Sequence, residues 1–382
     1  MNTDIAIIGL GPAGRALAHR LTTHGAHVTA YDPHPHRPWK HTLGGWAHQL
    51  PTWLPPHTAT TRAPTTVIHT NHRAPLFDEY VILDTPALQQ ALTLDNVTIH
   101  TTTINTNQLH TLAPIVIDTR GNQHPPPAHT PIQTAYGITL HPTQAAPLLQ
   151  DADAVLMDWR PHDGTPTWGH HTASFCYTIP LPNGRILTEE TILAATPPIP
   201  TTHLAQRLHT RLARHGIHPD PTSTTEHVHI PMLPTTPHHR HPRFGAASHQ
   251  NNPLTGYSVF ASLAAADTAA HTLIHHGHLP PAPPATTIIR RLALNALTRL
   301  NGHHTFNLFD AYNHLPAHKQ RAIMDPTTNA PTLLNALTTQ WANLPPDTRA
   351  TLIAATTNLT PRHHQDTPRH HQDTPRHHQD TP

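Results

Sequence analysis

The chain reads as an α/β protein, with a Rossmann-like dinucleotide-binding domain, an inserted and mostly antiparallel β-sheet domain, and a set of C-terminal helices. Three observations predict this. The first is Asp4-Ile5-Ala6-Ile7-Ile8-Gly9-Leu10-Gly11-Pro12-Ala13-Gly14, an apolar run ending in a G-x-G-x-x-G turn that opens into helical spacing at Ala13, Leu17 and Leu21. The second is Ile115-Val116-Ile117-Asp118, a strand of the same kind about a hundred residues further on, which implies an interrupted dinucleotide fold. The third is a change of pattern between residues 133 and 235, where short apolar or alternating runs are separated by turn residues.

Taken in order, the glycine turn has a physical reading at each position. Gly9 turns the chain sharply, Gly11 admits a pyrophosphate close to backbone, and Gly14 lets the helix pack on the sheet. Pro12 and Ala13 open that helix, whose free N–H groups and positive dipole end face the phosphates. Ala26 to Tyr31 is a second strand, and Asp32 at its end is placed to bond a ribose. Tyr80–Leu83 and Val97–His100 are strand-like, with a helix starting near Thr85-Pro86 between them. In the insertion, Thr134–Leu140, Ala154–Asp158, Ser174–Ile179 and Arg185–Glu189 are the strands, with Pro182-Asn183-Gly184 as a hairpin connection. Residues 201–216 form a helix, Phe244–Ser248 a strand-like segment and Tyr257–His275 a small-residue helix. Prolines at 280–284 then break the chain before helical segments at 287–301, 304–323 and 332–343. The resulting division is 1–132 and 236–280 for the dinucleotide-binding domain, 133–235 for the insertion, 281–358 for the helical segment, and 359–382 for the tail. That tail repeats Thr-Pro-Arg-His-His-Gln-Asp three times without an apolar residue, so it is predicted to be disordered.

Bulk properties bound the function. A net charge of +1 gives no electrostatic case for nucleic acid. The single cysteine, Cys176, excludes an internal disulfide and suits the cytoplasm. No apolar stretch approaches the eighteen residues a membrane span needs, and the N-terminus lacks a signal-peptide pattern. The composition is unusual, with 42 His and 44 Pro but only 12% charged residues. Cytosine-rich codons explain that bias, so the pairs His34/His36 and His227/His229 and the run His238-His239-Arg240-His241 are read as compositional, and no metal is expected.

Six segments occur in the order of one known family. They are Leu43-Gly44-Gly45-Trp46, Gln133-Thr134-Ala135-Tyr136-Gly137-Ile138, Met157-Asp158-Trp159-Arg160, Leu187-Thr188-Glu189-Glu190-Thr191, Ile230-Pro231-Met232 and Pro253-Leu254-Thr255-Gly256-Tyr257. They resemble the YGVW, QxAYGI, MDWR, FLEET, IPM and PxTGY segments of the flavin-dependent lycopene cyclases of bacteria and plastids. The resemblance runs from about Asp4 to Asp267. It implies a glutathione-reductase-type FAD domain, with FAD active in its reduced form and NADPH as reductant. It further implies ring closure at the end of lycopene, a non-redox isomerisation begun by protonating an alkene. Gly9, Gly11, Pro12, Ala13, Gly14 and Asp32 become cofactor-binding candidates, joined on the flavin side by Gly245, Pro253, Thr255 and Gly256.

The chemistry narrows the catalytic candidates. A donor to an alkene must arrive protonated, and a carboxyl in apolar surroundings does so because desolvation raises its pKa. Glu189 and Glu190 are adjacent, so on a strand they face opposite sides and only one enters a given cavity. The resemblance assigns the acid to Glu189 and leaves Glu190 to hold structure or tune its neighbour. The alternative is a solvated acid pair at a strand end. Asp158 is a further candidate acid, or else the partner of Arg160 in a structural ion pair. Trp46, Trp159, Phe175 and Tyr177 are the aromatic faces available to a carbocation. Where the family carries an acidic pair after its GVW, this chain has Ala47-His48-Gln49, and no basic residue stands near Asp84-Thr85-Pro86. A carotenoid substrate implies attachment to a membrane surface through the C-terminal helices. Two other readings stay open: an oxidoreductase of related fold, such as a prenyl reductase or hydroxylase, and a flavin-binding relative without activity.

Overall fold

The computed structural model describes residues 4–122, 125–235, 240–281 and 283–357. Strand β1 (Asp4–Ile8) leads into α1 (Pro12–Thr23) and β2 (His27–Tyr31). Five short strands follow: β3 (Gly44–Trp46), β4 (Thr61–Ala63), β5 (Thr66–His69), β6 (Arg73–Pro75) and β7 (Tyr80–Ile82). Then come α2 (Thr85–Ala91), β8 (Val97–His100), β9 (Ile115–Asp118), β10 (Ile132–Leu140) and α3 (Pro142–Leu149). The chain continues through β11 (Ala154–Asp158), β12 (Phe175–Pro180), β13 (Ile186–Ala195), α4 (Thr201–Arg214) and β14 (Thr225–Pro231). It closes with α5 (Val259–His276), α6 (Pro284–Leu297), α7 (Gly302–Asn313), α8 (Ala317–Met324), α9 (Ala330–Ala342) and α10 (Pro346–Thr356).

The first sheet is wholly parallel, in the order β8-β2-β1-β9. Its central strand is buried at Ile5, Ala6, Ile7 and Ile8, as a strand covered on both faces must be. Helix α1 begins at Pro12, which lacks only an N–H that the first turn leaves unpaired. It sits so close to the turn that a Cβ on Gly14 would overlap the Gly9 carbonyl oxygen and the Thr119 hydroxyl. Leu17 and Leu21 of α1 pack with Leu263 and Leu273 of α5 in one core cluster, each burial stabilising by about 1.5–3 kcal/mol. Arg20 ties the two helices at their surface by donating to Asp267 at 2.7 Å.

The second sheet has seven strands, ordered β14-β10-β13-β12-β11-β5-β6, and every pairing is antiparallel except β11 with β5. The expected hairpin joins β12 to β13, with Gly184 at φ 76° in its turn. Helix α4 covers one face with Leu204, Leu208 and Leu212. On the other face, Phe309, Tyr312 and Leu333 of the C-terminal helices join Trp159, Phe175 and Leu187 in one cluster. A small third sheet, β3-β7-β4, contributes to both main cores, with Trp46, Ala63, Tyr80 and Ile82 in one cluster and Val81 in the other.

Several elements differ from expectation for identifiable reasons. Residues 66–75 supply β5 and β6 to the second sheet, although their His- and Pro-rich flanks carry no strand signal. Strand β14 carries no clear strand signal in the sequence because its histidines interrupt the apolar pattern. The single helix expected over 304–323 is two, α7 and α8, parted at Pro316. Phe244–Ser248 is no strand; one parallel bridge, Asp118 to Arg243, precedes a turn at Gly245 with φ 95°. Helix α10 was not expected. The repeat tail lies outside the described residues.

Candidate active site

Strand register builds the site. Glu189 on β13 pairs with Tyr177 on β12 and with Gly137 on β10, and Gly137 pairs in turn with Glu226 on β14. Residues paired across strands share a face, so Tyr177, Glu189, Gly137 and Glu226 form one row. The glycine keeps the row open: a Cβ at Gly137 would stand 2.9 Å from Leu187 Cδ1 and 3.3 Å from Glu189 Oε2. The parallel row one residue over, Cys176, Glu190, Tyr136 and His227, faces the other way, toward α4.

The first row looks into a mostly apolar cavity of about 360 Å³. Its walls include Trp46, Phe175, Leu187, Val228 and Met324, and its far side is the loop Leu254 to Val259. Glu189 is 8% exposed and accepts from the Thr191 hydroxyl at 3.0 Å. Burial, reinforced by the Glu226 carboxylate and opposed by the Thr191 bond, pushes its pKa from 4.5 up to about 8. Glu226 behaves oppositely. Burial would raise it, but bonds from His41 and Thr42 outweigh that and hold it below the usual carboxylate range. The Thr42 amide donates to Oε1 at 3.0 Å and its hydroxyl to Oε2 at 2.7 Å. One cavity therefore holds a neutral and an ionised carboxyl, a pairing that suits acid–base chemistry.

Three tyrosines cross the same cavity. The Tyr80 hydroxyl lies 2.9 Å from that of Tyr257 and accepts from Tyr177 at 2.8 Å. Burial raises the pKa of all three, so they stay neutral. Trp46 packs edge-on to Tyr80 with ring centroids 5.3 Å apart.

The remaining acids are occupied elsewhere. Glu190 is fully buried and receives Arg211 Nε at 2.9 Å and the Ser174 hydroxyl. Asp158 accepts from Arg160 Nε at 2.9 Å and Nη2 at 2.7 Å, and lies 3.7 Å from Arg211. Burial would raise the Asp158 carboxyl, but these guanidinium groups prevail and keep it low. Asp158 and Glu190 thus form a buried ion network behind the sheet, away from the cavity. Trp159 does not line the cavity; it stacks on Phe309 at 4.0 Å in the core.

The cofactor candidates fall into two converging segments. Asp32 anchors the glycine turn, accepting from Leu10 N at 2.6 Å and His34 N at 2.7 Å. Gly11 faces open space, and a Cβ on Gly245 would lie 2.7 Å from that of Ala13, so the 245 loop and the start of α1, where Pro12 sits, are neighbours. Thr255 and Gly256 line the cavity that Glu189 faces, whereas Pro253 lines a separate groove. A crevice between a parallel-sheet glycine turn and this loop fits a dinucleotide that reaches toward Glu189. Asn251 Oδ1, buried at the cavity without a partner among the described residues, fits a ring N–H.

Sequence reasoning missed Tyr80, Asn251 and Glu226. Only Glu226 carried a signal: it is an acid in an acid-poor chain, and Glu226, Val228 and Ile230 alternate as one strand face does. Two other groups converge among the described residues, His72–Asp310–His314 and His303–His304–Asp347, neither belonging to the predicted histidine pairs.

Known proteins agree with this architecture. The chain is 28% identical to a lycopene beta cyclase of Synechococcus elongatus, over 91% of this chain and 94% of that one. It is 27% identical to an uncharacterized carotenoid cyclase of Deinococcus radiodurans, over 88% and 89%. Its fold is similar to that of a geranylgeranyl bacteriochlorophyll reductase-like protein of Thermoplasma acidophilum (TM-score 0.59, 12% identity, covering 93% of this chain and all of that one). A flavoprotein/dehydrogenase of Cytophaga hutchinsonii shares it at a TM-score of 0.53 and 10% identity, over 94% of this chain and all of that one. Residues 89–330, more than half the chain, match the sequence profile described as lycopene cyclase protein. The chain belongs to the lycopene cyclase family.

Proposed function

We propose that this chain closes a six-membered ring at the end of an acyclic carotenoid, lycopene or a close relative, without net oxidation. A single observation carries the reading: Glu189 is a carboxyl raised to about 8 in an apolar cavity, so it is protonated at neutral pH. Glu189 gives its proton to the terminal alkene, the neighbouring alkene attacks the resulting cation, and a ring carbon loses a proton. Glu226, ionised in the same row, would receive it; Glu189 then regains a proton from solvent and Glu226 releases one, which restores the starting state. No atom is gained or lost.

The walls serve the cation. Trp46, Phe175 and the three tyrosines offer aromatic faces, each worth about 0.5–2 kcal/mol to a desolvated positive charge. The apolar lining excludes water that would otherwise trap the cation as an alcohol. Gly9, Gly11, Pro12, Ala13, Gly14 and Asp32 would hold the nucleotide half of FAD, with Gly245, Asn251, Thr255 and Gly256 toward its ring. Reduced FAD, with NADPH as its reductant, would supply an electron-rich ring that stabilises positive charge. Asp158 and Glu190, paired with Arg160 and Arg211, hold the sheet behind Glu189 and lie outside the cavity. Because the substrate dissolves in lipid, the protein works at a membrane surface; among the described residues no helix is long and apolar enough to cross one.

Expression in a bacterium that accumulates lycopene tests the reading. Chromatography should show cyclic carotenoid of unchanged mass. Lycopene persisting beside folded, flavin-loaded protein would refute it, and a reduced or hydroxylated product would point to an oxidoreductase.

A further inference from the structure

A second cavity, of about 880 Å³, lies between α5, the start of α6 and the loop that carries Pro253. Arg240, Arg243, Arg290 and Arg291 line it, and among the described residues no Asp or Glu does, the nearest carboxylate acting on Arg290 being that of Asp325 behind the wall. The absence of acid extends along the sequence. Between Glu226 and Asp310 the chain has one carboxylate, Asp267, and Arg20 and His24 engage it. In a chain of net charge +1 this is a strong local segregation of charge.

The groove is also built for an anion. Arg290 is 4% exposed; it donates to the Asp325 carbonyl at 2.6 Å and the Pro326 carbonyl at 3.2 Å, while its buried Nε has no partner among the described residues. The capping residue Pro283 and the start of α6, at Thr286 and Thr287, form another wall and present the positive end of a fourteen-residue helix. Beside the groove, on the same helix, Ile288 and Leu292 are 59% and 53% exposed, four residues apart and so on one side. The other exposed large hydrophobics among the described residues, Leu334, Trp341 and Ile353, lie on α9 and α10, the two helices that pack against α6.

We propose that this groove seats the phosphate of an anionic phospholipid, with Ile288 and Leu292 entering the acyl layer next to it. A soluble phosphate compound shares the headgroup chemistry but gives the apolar pair nothing to bury, so the lipid is the occupant that accounts for both features.

Sedimentation of the full chain with vesicles tests this. Vesicles containing phosphatidylglycerol should bind it more tightly than phosphatidylcholine vesicles, and the preference should weaken with salt. Arg240 and Arg291 are exposed, so their joint replacement by Ala should leave the melting temperature unchanged. It should lower affinity for phosphatidylglycerol vesicles about twenty-five-fold, roughly fivefold for each charge. Replacing Ile288 and Leu292 by Ser should weaken binding to both vesicle types. All chains compared share residues 358–382, so any contribution of the tail cancels. Equal binding to the two vesicle types, or no effect of the arginine pair, would overturn the proposal. Tight binding of inorganic phosphate or glycerol phosphate without vesicle binding would do the same. No carotenoid is involved, so failure here leaves the ring-closure reading standing.

Discussion

Replacing Glu189 with Gln removes the titrating proton while keeping the shape of the side chain and an acceptor for Thr191. In the wild-type protein the carboxyl titrates near 8 when folded and near 4.5 when unfolded. Between those values the folded state holds a proton that the unfolded state has released, so stability falls as pH rises. Below 4.5 both states are protonated, and above 8 both are ionised and the loss is complete. The gap of 8 − 4.5 units corresponds to a loss on the order of 5 kcal/mol. The Gln variant lacks this term. Urea denaturation from pH 5 to pH 9 should therefore find the two proteins of similar stability at the acid end, with the variant several kcal/mol more stable at the alkaline end. Comparing the two cancels the many histidines. Parallel curves, or a wild type that gains relative stability as pH rises, would show a solvated carboxylate and refute the reasoning. Ring closure should be lost in the variant and, in the wild type, should decline above about pH 8.

Further outcomes follow from the neighbours. Glu226→Gln removes the proposed base and should slow ring closure about a hundredfold or more; it also removes a negative charge roughly 10 Å from Glu189, two strand spacings away, and should shift the alkaline limb of the residual activity down by about one pH unit. Arg211→Ala leaves Glu190 and Asp158 buried with their principal shared cation gone, and should cost about 3–5 kcal/mol in a chemical denaturation experiment. His48 lies between Asp78 at 2.5 Å and Asp325 at 3.0 Å. Burial would lower its pKa, but the two carboxylates outweigh that and raise it. The stability it adds is present below about pH 6.5 and lost as pH rises through the raised folded value, so His48→Ala should cost on the order of 1 kcal/mol at pH 5.5 and progressively less at alkaline pH.

Much of this was legible in the sequence because local rules fixed it. The G-x-G-x-x-G turn required glycine at Gly14, where no Cβ fits, and adjacency sent Glu189 and Glu190 to opposite faces. Which face held the cavity was not local. It depended on α4 bringing Arg211 beneath Glu190, and an arginine spaced along an amphipathic helix looks like any solvated charge. Asp158 illustrates the same limit, since the Asp-x-Arg pair was readable but the burial that gave it Arg211 as a second neighbour was not. The row through Gly137 required knowing that β10 lies between β13 and β14, and only long-range pairing supplies that. Histidine-rich segments concealed β14 and with it Glu226, because a biased composition dilutes hydrophobic periodicity. At Ala47-His48-Gln49 the partners of His48 are Asp78 and Asp325, and the second lies too far along the chain for any local pattern to show it.

The most direct measurement is the mass of the carotenoid formed by the wild-type protein in deuterated buffer. If Glu189, exchanged with solvent, starts the reaction, each closed ring carries one deuterium and the product is otherwise isomeric with its substrate. Glu189→Gln should form no ring. A ring free of deuterium, or a product whose mass shows added hydrogen or oxygen, would contradict protonation by Glu189 as the initiating step.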